Sequence, residues 1–245
     1  MHRAALTLSA LVLAASALAG CESTQEKAAK LEKSAHAREA KALKPAHVEA
    51  ITKLSAKVKV TAASVLHSSE GDAVVVMLHN SSAQAQSALP ILLEVRDRAG
   101  HSVYENNASG LAAGLSTVPL VPARGATAWV DDQVSPSGTP ASATAKVGEG
   151  APVKGTPPRL DVEGAKLVSE AGEASAEGTV VNHSALAQSN VVVTALARRG
   201  GRVVAAGRAV VAVLSAGDSK RFQIFFIGSP EGATLETTAA AAGPG

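Results

Sequence analysis

A repeated octapeptide constrains this chain more than any other feature. Asn80-Ser81-Ser82-Ala83-Gln84-Ala85-Gln86-Ser87 and Asn182-His183-Ser184-Ala185-Leu186-Ala187-Gln188-Ser189 are identical at six of eight positions. Three more anchors follow in the same order. Arg98-Ala99-Gly100 matches Arg199-Gly200-Gly201. Gly125 matches Gly217, each ahead of an aromatic run that holds Trp129 in one copy and Phe222, Phe225 and Phe226 in the other. Ser135-Pro136-Ser137-Gly138 matches Ser229-Pro230-Glu231-Gly232. Four ordered anchors are poorly explained by chance, so a unit of roughly 80 residues is duplicated.

Each copy is written in short Val-rich runs divided by Gly, Pro, Asn and Ser, the pattern of strands joined by turns. In the first copy, strands are expected at 58–66, 73–79, 89–96, 126–131 and 143–147. The second set is expected at 166–169, 176–181, 191–197, 202–213, 219–227 and 234–238. Aromatic residues make up only 2% of the chain, so the cores must be packed from Val, Leu, Ile and Ala. The recurring Asn has a physical rationale. It tolerates a left-handed backbone and its side chain can bond the backbone two residues on, which reverses the chain between strands.

Ahead of the repeat stands a basic residue, Arg3, then an apolar stretch from Ala4 to Leu18, then Leu18-Ala19-Gly20-Cys21. These residues resemble the lipobox of bacterial lipoproteins. The resemblance implies cleavage after residue 20 and a diacylglycerol thioether on Cys21, the only cysteine in the chain. The alternative is a short transmembrane helix, but about 15 apolar residues fall short of the roughly 20 that span a bilayer. With one cysteine there can be no intramolecular disulfide. Segment 21–57 reads as a helical or flexible stalk rich in Ala, Lys and Glu, with a self-association helix as the alternative. From Glu22 to Lys59 it carries nine Lys or Arg against five Glu.

The expected organisation is therefore a signal peptide (1–20), a stalk (21–57), a first β-sandwich (58–148), a linker (149–159), a second β-sandwich (160–238) and a disordered tail (239–245). At the repeat anchors the chain resembles the FxLyD-type domains of bacterial envelope proteins. In these small immunoglobulin-like sandwiches an Asn-x-Ser turn precedes a strand that ends in Asp-x-x-Gly. The first copy keeps Asp97-Arg98-Ala99-Gly100, whereas the second has Arg198 in place of the acid, and neither has the aromatics that name the family. The resemblance covers about 160 residues. It implies an all-β fold of two tandem immunoglobulin-like β-sandwich domains and a binding or scaffolding role, and it brings no shared catalytic residues.

Chemical motifs are scarce. The histidines after residue 21 never fall at zinc-ligand spacing, and no cysteine can complete such a site. No G-x-S-x-G elbow, phosphate loop or dinucleotide fingerprint occurs. Asp131-Asp132 could offer oxygens to calcium, yet adjacent strand residues point to opposite faces, so a solvated strand end is expected instead. No metal and no cofactor is expected. The net charge of +2 is too small to suggest a nucleic-acid partner and no aromatic and basic interleaving suggests one, so none is expected. Asn80, Asn107 and Asn182 fit the glycosylation triplet, a coincidence in a bacterial lipoprotein.

The copies differ most between Gly100 and Gly125, which are 25 positions apart where Gly201 and Gly217 are 16 apart. Nine extra residues therefore lie around Tyr104 to Gly114. Loops on rigid sandwiches often carry recognition. Tyr104, Asn106, Asn107 and Trp129 are the candidate partner-binding residues; alternatively Trp129 fills the core and the insertion is passive. The expected partners are the membrane, through lipidated Cys21, and an envelope protein or polymer on the extracytoplasmic side. A hydrolase whose site is invisible in sequence and a purely structural spacer are the competing readings. Which membrane carries the anchor stays open.

Overall fold

The computed structural model describes residues 51–107, 111, 113–170 and 173–241, and all of them belong to one compact unit. The expected signal peptide, the lipidation site Cys21 and the stalk up to residue 50 lie outside the described residues, as do 242–245. Apart from one turn of 3-10 helix at Ala113–Leu115, the regular structure described is β-strand. In the first copy the strands are β1 (Val58–Ser68), β2 (Gly71–Asn80), β3 (Gln86–Arg96), β4 (Ser102–Glu105), β5 (Thr117–Val121), β6 (Ala126–Val134), β7 (Ser142–Val147) and β8 (Ala151–Pro152). In the second they are β9 (Leu160–Glu170), β10 (Glu173–Asn182), β11 (Gln188–Arg199), β12 (Arg202–Leu214), β13 (Ser219–Phe225), β14 (Ile227–Gly228) and β15 (Thr234–Ala240).

The pairing repeats as the sequence does. Sheet β1-β2-β6 matches sheet β9-β10-β13, and β3 with its neighbours β4, β5, β7 and β8 matches β14-β12-β11-β15. The insertion of the first copy interrupts a strand. Where the second copy runs β12 unbroken for 13 residues, the first has β4 and β5 separated by the 3-10 turn. Both hairpins after the central strands turn where Arg98-Ala99-Gly100 and Arg199-Gly200-Gly201 stand. Gly200 and Gly201 hold φ of 58° and 79°, which side chains with a Cβ adopt poorly.

Two cores follow from the alternation of side chains. Val74, Val76, Leu78 and Trp129 of one sheet meet Leu89, Ile91, Leu93, Val95, Val118 and Val147 of the other. In the second copy Ala176, Val180, Phe222 and Ile224 meet Val191, Val193, Ala195, Ala197 and Ala205. The small residues bring the second pair of sheets close together. A Cβ on Gly207 would collide with the Phe225 carbonyl oxygen and lie 2.7 Å from Ile224 Cγ2.

A third cluster joins the copies. Val75 and Val130, on the outer face of β2 and β6, pack with Leu196 and Ala206 on the outer face of β11 and β12, flanked by Leu66, Met77, Ala128 and Val203. These central strands are thus covered on both faces. That is why Ala73-Val74-Val75-Val76-Met77-Leu78 shows no alternation of apolar and polar residues.

Several expectations are corrected. Ala239 and Ala240 belong to β15 and Ala241 is buried, because Val192 and Val193 continue the ladder opposite them. The expected linker 149–159 begins as β8, which pairs with Gln86 and Ser87 of β3. Among described non-glycine residues, positive φ falls at Ala88, Arg124 and Asn190 and not at the repeated Asn80 and Asn182. Those asparagines act through hydrogen bonds rather than through a left-handed backbone.

Candidate functional site

Asn80 and Asn182 anchor the same network in both copies, and both are fully buried. Asn80 Nδ2 donates to the carbonyls of Gln84 at 2.8 Å, Pro122 at 3.1 Å and Val121 at 3.4 Å. Its Oδ1 accepts from Ser82 N at 3.0 Å and Ser82 Oγ at 2.8 Å. Asn182 Nδ2 donates to Leu186, Leu214 and Ser215, and its Oδ1 accepts from the backbone and hydroxyl of Ser184. The octapeptide is therefore a structural lock on a loop that would otherwise bury bare carbonyls. Such burial leaves neither asparagine open to glycosylation.

The four candidate partner-binding residues separate into distinct environments. Trp129 is buried in the first core and donates Nε1 to Thr117 O at 3.2 Å. Asn106 is also buried: Oδ1 accepts from Leu93 N at 2.6 Å while Nδ2 donates to Leu115 O at 2.6 Å and Ile91 O at 3.0 Å. Tyr104 is half-buried against the same core, and its hydroxyl donates to Asp131 Oδ2 at 2.8 Å. Only Asn107 is free of such an assignment, and it is partly exposed. Inward-facing Trp129 and Asn106 offer no surface to a partner, which corrects the expectation for those two.

Asp131 and Asp132 do point to opposite faces, but neither is a solvated strand end. Asp131 lies fully buried on the core side, accepting from Tyr104 of the facing sheet and from Gln133 N at 3.0 Å. Burial pushes its carboxyl above the usual range, against the lowering effect of the Gln133 and Tyr104 hydrogen bonds. Burial and the Asp131 charge likewise raise the Tyr104 phenol.

On the outer face Asp132 meets the second copy. Its Oδ1 accepts from Arg208 Nε at 3.1 Å and its Oδ2 from Arg208 N at 3.0 Å. Arg208 Nη1 then donates to Gly114 O at 3.0 Å. The inserted 3-10 turn of the first copy thus clasps the second. Only 6% of the Arg208 side chain and 16% of the Asp132 side chain are exposed. An isolated Arg within the apolar run Val203 to Val213 was the available signal; its mate, 76 positions away, was not legible. Among the described residues, no group of three or more His, Cys, Asp or Glu could hold a metal ion.

A groove of about 810 Å³ opens where the copies meet at the β1–β2 hairpin. Glu70 comes from that hairpin, Glu173 from the start of β10, and Phe225, Ile227, Pro230 and Glu231 from the segment around β14. Phe225 is 58% exposed, unusual for an aromatic side chain. Hydrogen bonds from Ser69 and Ser68 hold the Glu70 carboxyl low, and one from Ser229 does the same for Glu231. An anionic rim around an apolar floor suits a ligand with positive charge and an apolar part. The groove sits at the far end of β1 from Val58, so about 33 Å of strand separates it from the end where residues 51–57 enter. Sequence reasoning missed it because its walls come from both copies.

What the fold and these contacts define is an all-β protein of several antiparallel sheets, with two repeat units joined by a buried polar clasp and an apolar seam. No family model and no curated protein matches the chain. Among solved structures, red sea bream transglutaminase is similar at a TM-score of 0.21 and 14% identity, over 91% of this chain and 34% of that one. The chain thus spans about a third of the length of that enzyme. No helix among the described residues is long and apolar enough to cross a membrane.

Proposed function

We propose that this chain is a lipid-anchored binding or scaffolding module of the cell envelope, built from two FxLyD-like immunoglobulin-like domains and acting without catalysis. The lipobox residues Leu18 to Cys21 support the anchor. The two acyl chains of a diacylglycerol held by a thioether, each buried methylene contributing about 0.8 kcal/mol, keep a protein on a membrane durably. The observation that carries the binding role is the groove between the copies, at the far end of the body from residues 51–57. A ligand there would touch both repeat units, and a flexible pair of domains could not present such a surface. The buried titratable groups support a non-catalytic reading, since Asp131, Tyr104, Asp132 and Arg208 are all engaged with one another or with backbone.

The fixed junction also favours the spacer reading, in which the two units serve only for reach. Proximity labelling from the intact lipoprotein in its own envelope separates the two. Binding predicts a defined set of neighbours that is lost in Glu70→Lys/Glu231→Lys. A set that is unchanged in this variant rejects the groove. Membrane retention should be lost in Cys21→Ser, and a processed Cys21→Ser chain that stays membrane-bound would reject the anchor.

A further inference from the structure

The outer edge of β12 is closed at both ends and open between them. Ser229 N donates to Val204 O, β14 pairs with Ala205 and Ala206, and Asp132 Oδ2 accepts from Arg208 N. At the far end Asn182 Nδ2 donates to Leu214 O. Backbone groups alternate in direction along a strand, so the even-numbered residues of β12 face away from β11. Val210 and Ala212 therefore turn both N–H and C=O outward, and among the described residues no strand pairs with them on that side. Both are exposed, Val210 at 53%, as is Val213 at 52%.

The first copy shuts the same edge. Leu89 lies opposite Val118 as Val191 lies opposite Val211, which makes Thr117 and Pro119 the counterparts of Val210 and Ala212. Pro119 has no N–H to offer. The Thr117 carbonyl is turned away from β3, because Ser116 O accepts from Ile91 N, and Trp129 Nε1 donates to it at 3.2 Å. The second copy has neither device. Phe222, opposite Gly178 as Trp129 is opposite Val76, carries no ring N–H, and Ala212 stands where the first copy has proline.

The open stretch, Ala209-Val210-Val211-Ala212-Val213, is uncharged and rich in β-branched residues, whereas proteins commonly blunt such an edge with charge or proline. It also complements itself. A second copy laid antiparallel about a two-fold axis at Val211 brings Val210 of each copy opposite Ala212 of the other. The two residues then exchange both N–H···O=C bonds, which satisfies every outward group of the open stretch. Ala209 meets Val213, and no charge meets a like charge. Arg208, next along the strand, is held by Asp132 with 6% of its side chain exposed.

We propose that two copies of this chain pair through the edge of β12, antiparallel about Val211, so that the two sheets join. The contact is short, so the dimer is a weak one.

The test is sedimentation equilibrium of the full Cys21→Ser chain in detergent micelles over a concentration series. A monomer–dimer equilibrium is expected, weakened by roughly tenfold or more in Ala212→Pro, which takes one backbone donor from each copy. The thermal unfolding midpoint of this variant should match that of its parent, because the Ala212 N–H bonds nothing on the outer side among the described residues. Val210→Lys should weaken the dimer as well, and answers the same question should Ala212→Pro not fold. A chain that stays monomeric, or a dimer that neither variant weakens, overturns the proposal. Oxidation of single-cysteine variants in the same background reads the register. Val211→Cys brings two Cα atoms about 4.5 Å apart, within the span of a disulfide, whereas Val213→Cys leaves them roughly 13 Å apart. Val211→Cys should cross-link between copies the faster, although Val213 is the more exposed site. Equal or faster cross-linking of Val213→Cys marks random collision at an accessible surface and overturns the proposal.

Discussion

Arg208 of the second repeat and Asp132 of the first share two hydrogen bonds, at 3.0 and 3.1 Å, with the Arg208 side chain almost wholly out of water. Removing one partner strands a buried charge, which typically costs about 3–5 kcal/mol. Asp132→Ala and Arg208→Ala are each expected to lower stability by that order in urea titrations. The double variant Asp132→Leu/Arg208→Met should be much less destabilised than the sum, because no charge is left unpaired.

The repeated asparagines should be intolerant of change. Asn182→Ala removes the donor that serves Leu186, Leu214 and Ser215, and is expected to cost about 2–4 kcal/mol. Asn182→Asp should cost at least as much, since it turns an oxygen toward those carbonyls. Thermal unfolding of the two variants beside Asn80→Ala would show whether both locks matter equally.

Ala88 holds φ of 50° where the β3–β5 ladder skips a pair without changing register, and Asn190 holds 49° at the same place in the β11–β12 ladder of the second copy. Asn tolerates this backbone and Ala does not, by about 1 kcal/mol. Ala88→Asn is therefore expected to raise stability by roughly 0.5–1 kcal/mol, and Asn190→Ala to lower it by a similar amount, as read from denaturation midpoints.

Asp131 has its carboxyl raised by burial, so the folded chain holds this proton more tightly than the unfolded chain does. Its contribution to stability is then fully present below the ordinary carboxylate range and is lost as pH rises through the raised folded value. Asp131→Asn cannot titrate and should lack that decline. The stability difference between native chain and variant, followed by denaturation from acid to neutral pH, should shift in favour of the variant as pH rises.

Much of the fold was legible because it is local. All eleven expected strands lie on observed ones, since Val-rich runs bounded by Gly and Asn report half-buried strands directly. β4, β5 and β8 escaped because four, five and two residues are too few for a period to register. The candidate site was read less well. Tyr104 and Trp129 stood out by rarity, yet rarity does not say which way a side chain faces, and the facing sheet took both inward.

The sequence by itself determined the duplication, which shows as a recurrence, and the strands, the hairpin turns and the Asn-to-Ser bonds two residues on, which depend on residues close along the chain; the bonds from Asn80 and Asn182 to carbonyls 32 to 42 positions away were decided by the fold. Tertiary structure alone decided that Asp132 meets Arg208, that the insertion clasps the other copy through Gly114, and that a groove forms from Glu70, Phe225 and Glu231. Those relationships join residues some 76 to 161 positions apart. They exist because the uncovered apolar faces of β2 and β6 and of β11 and β12 exclude water by packing on each other, and no pattern within either copy names its mate.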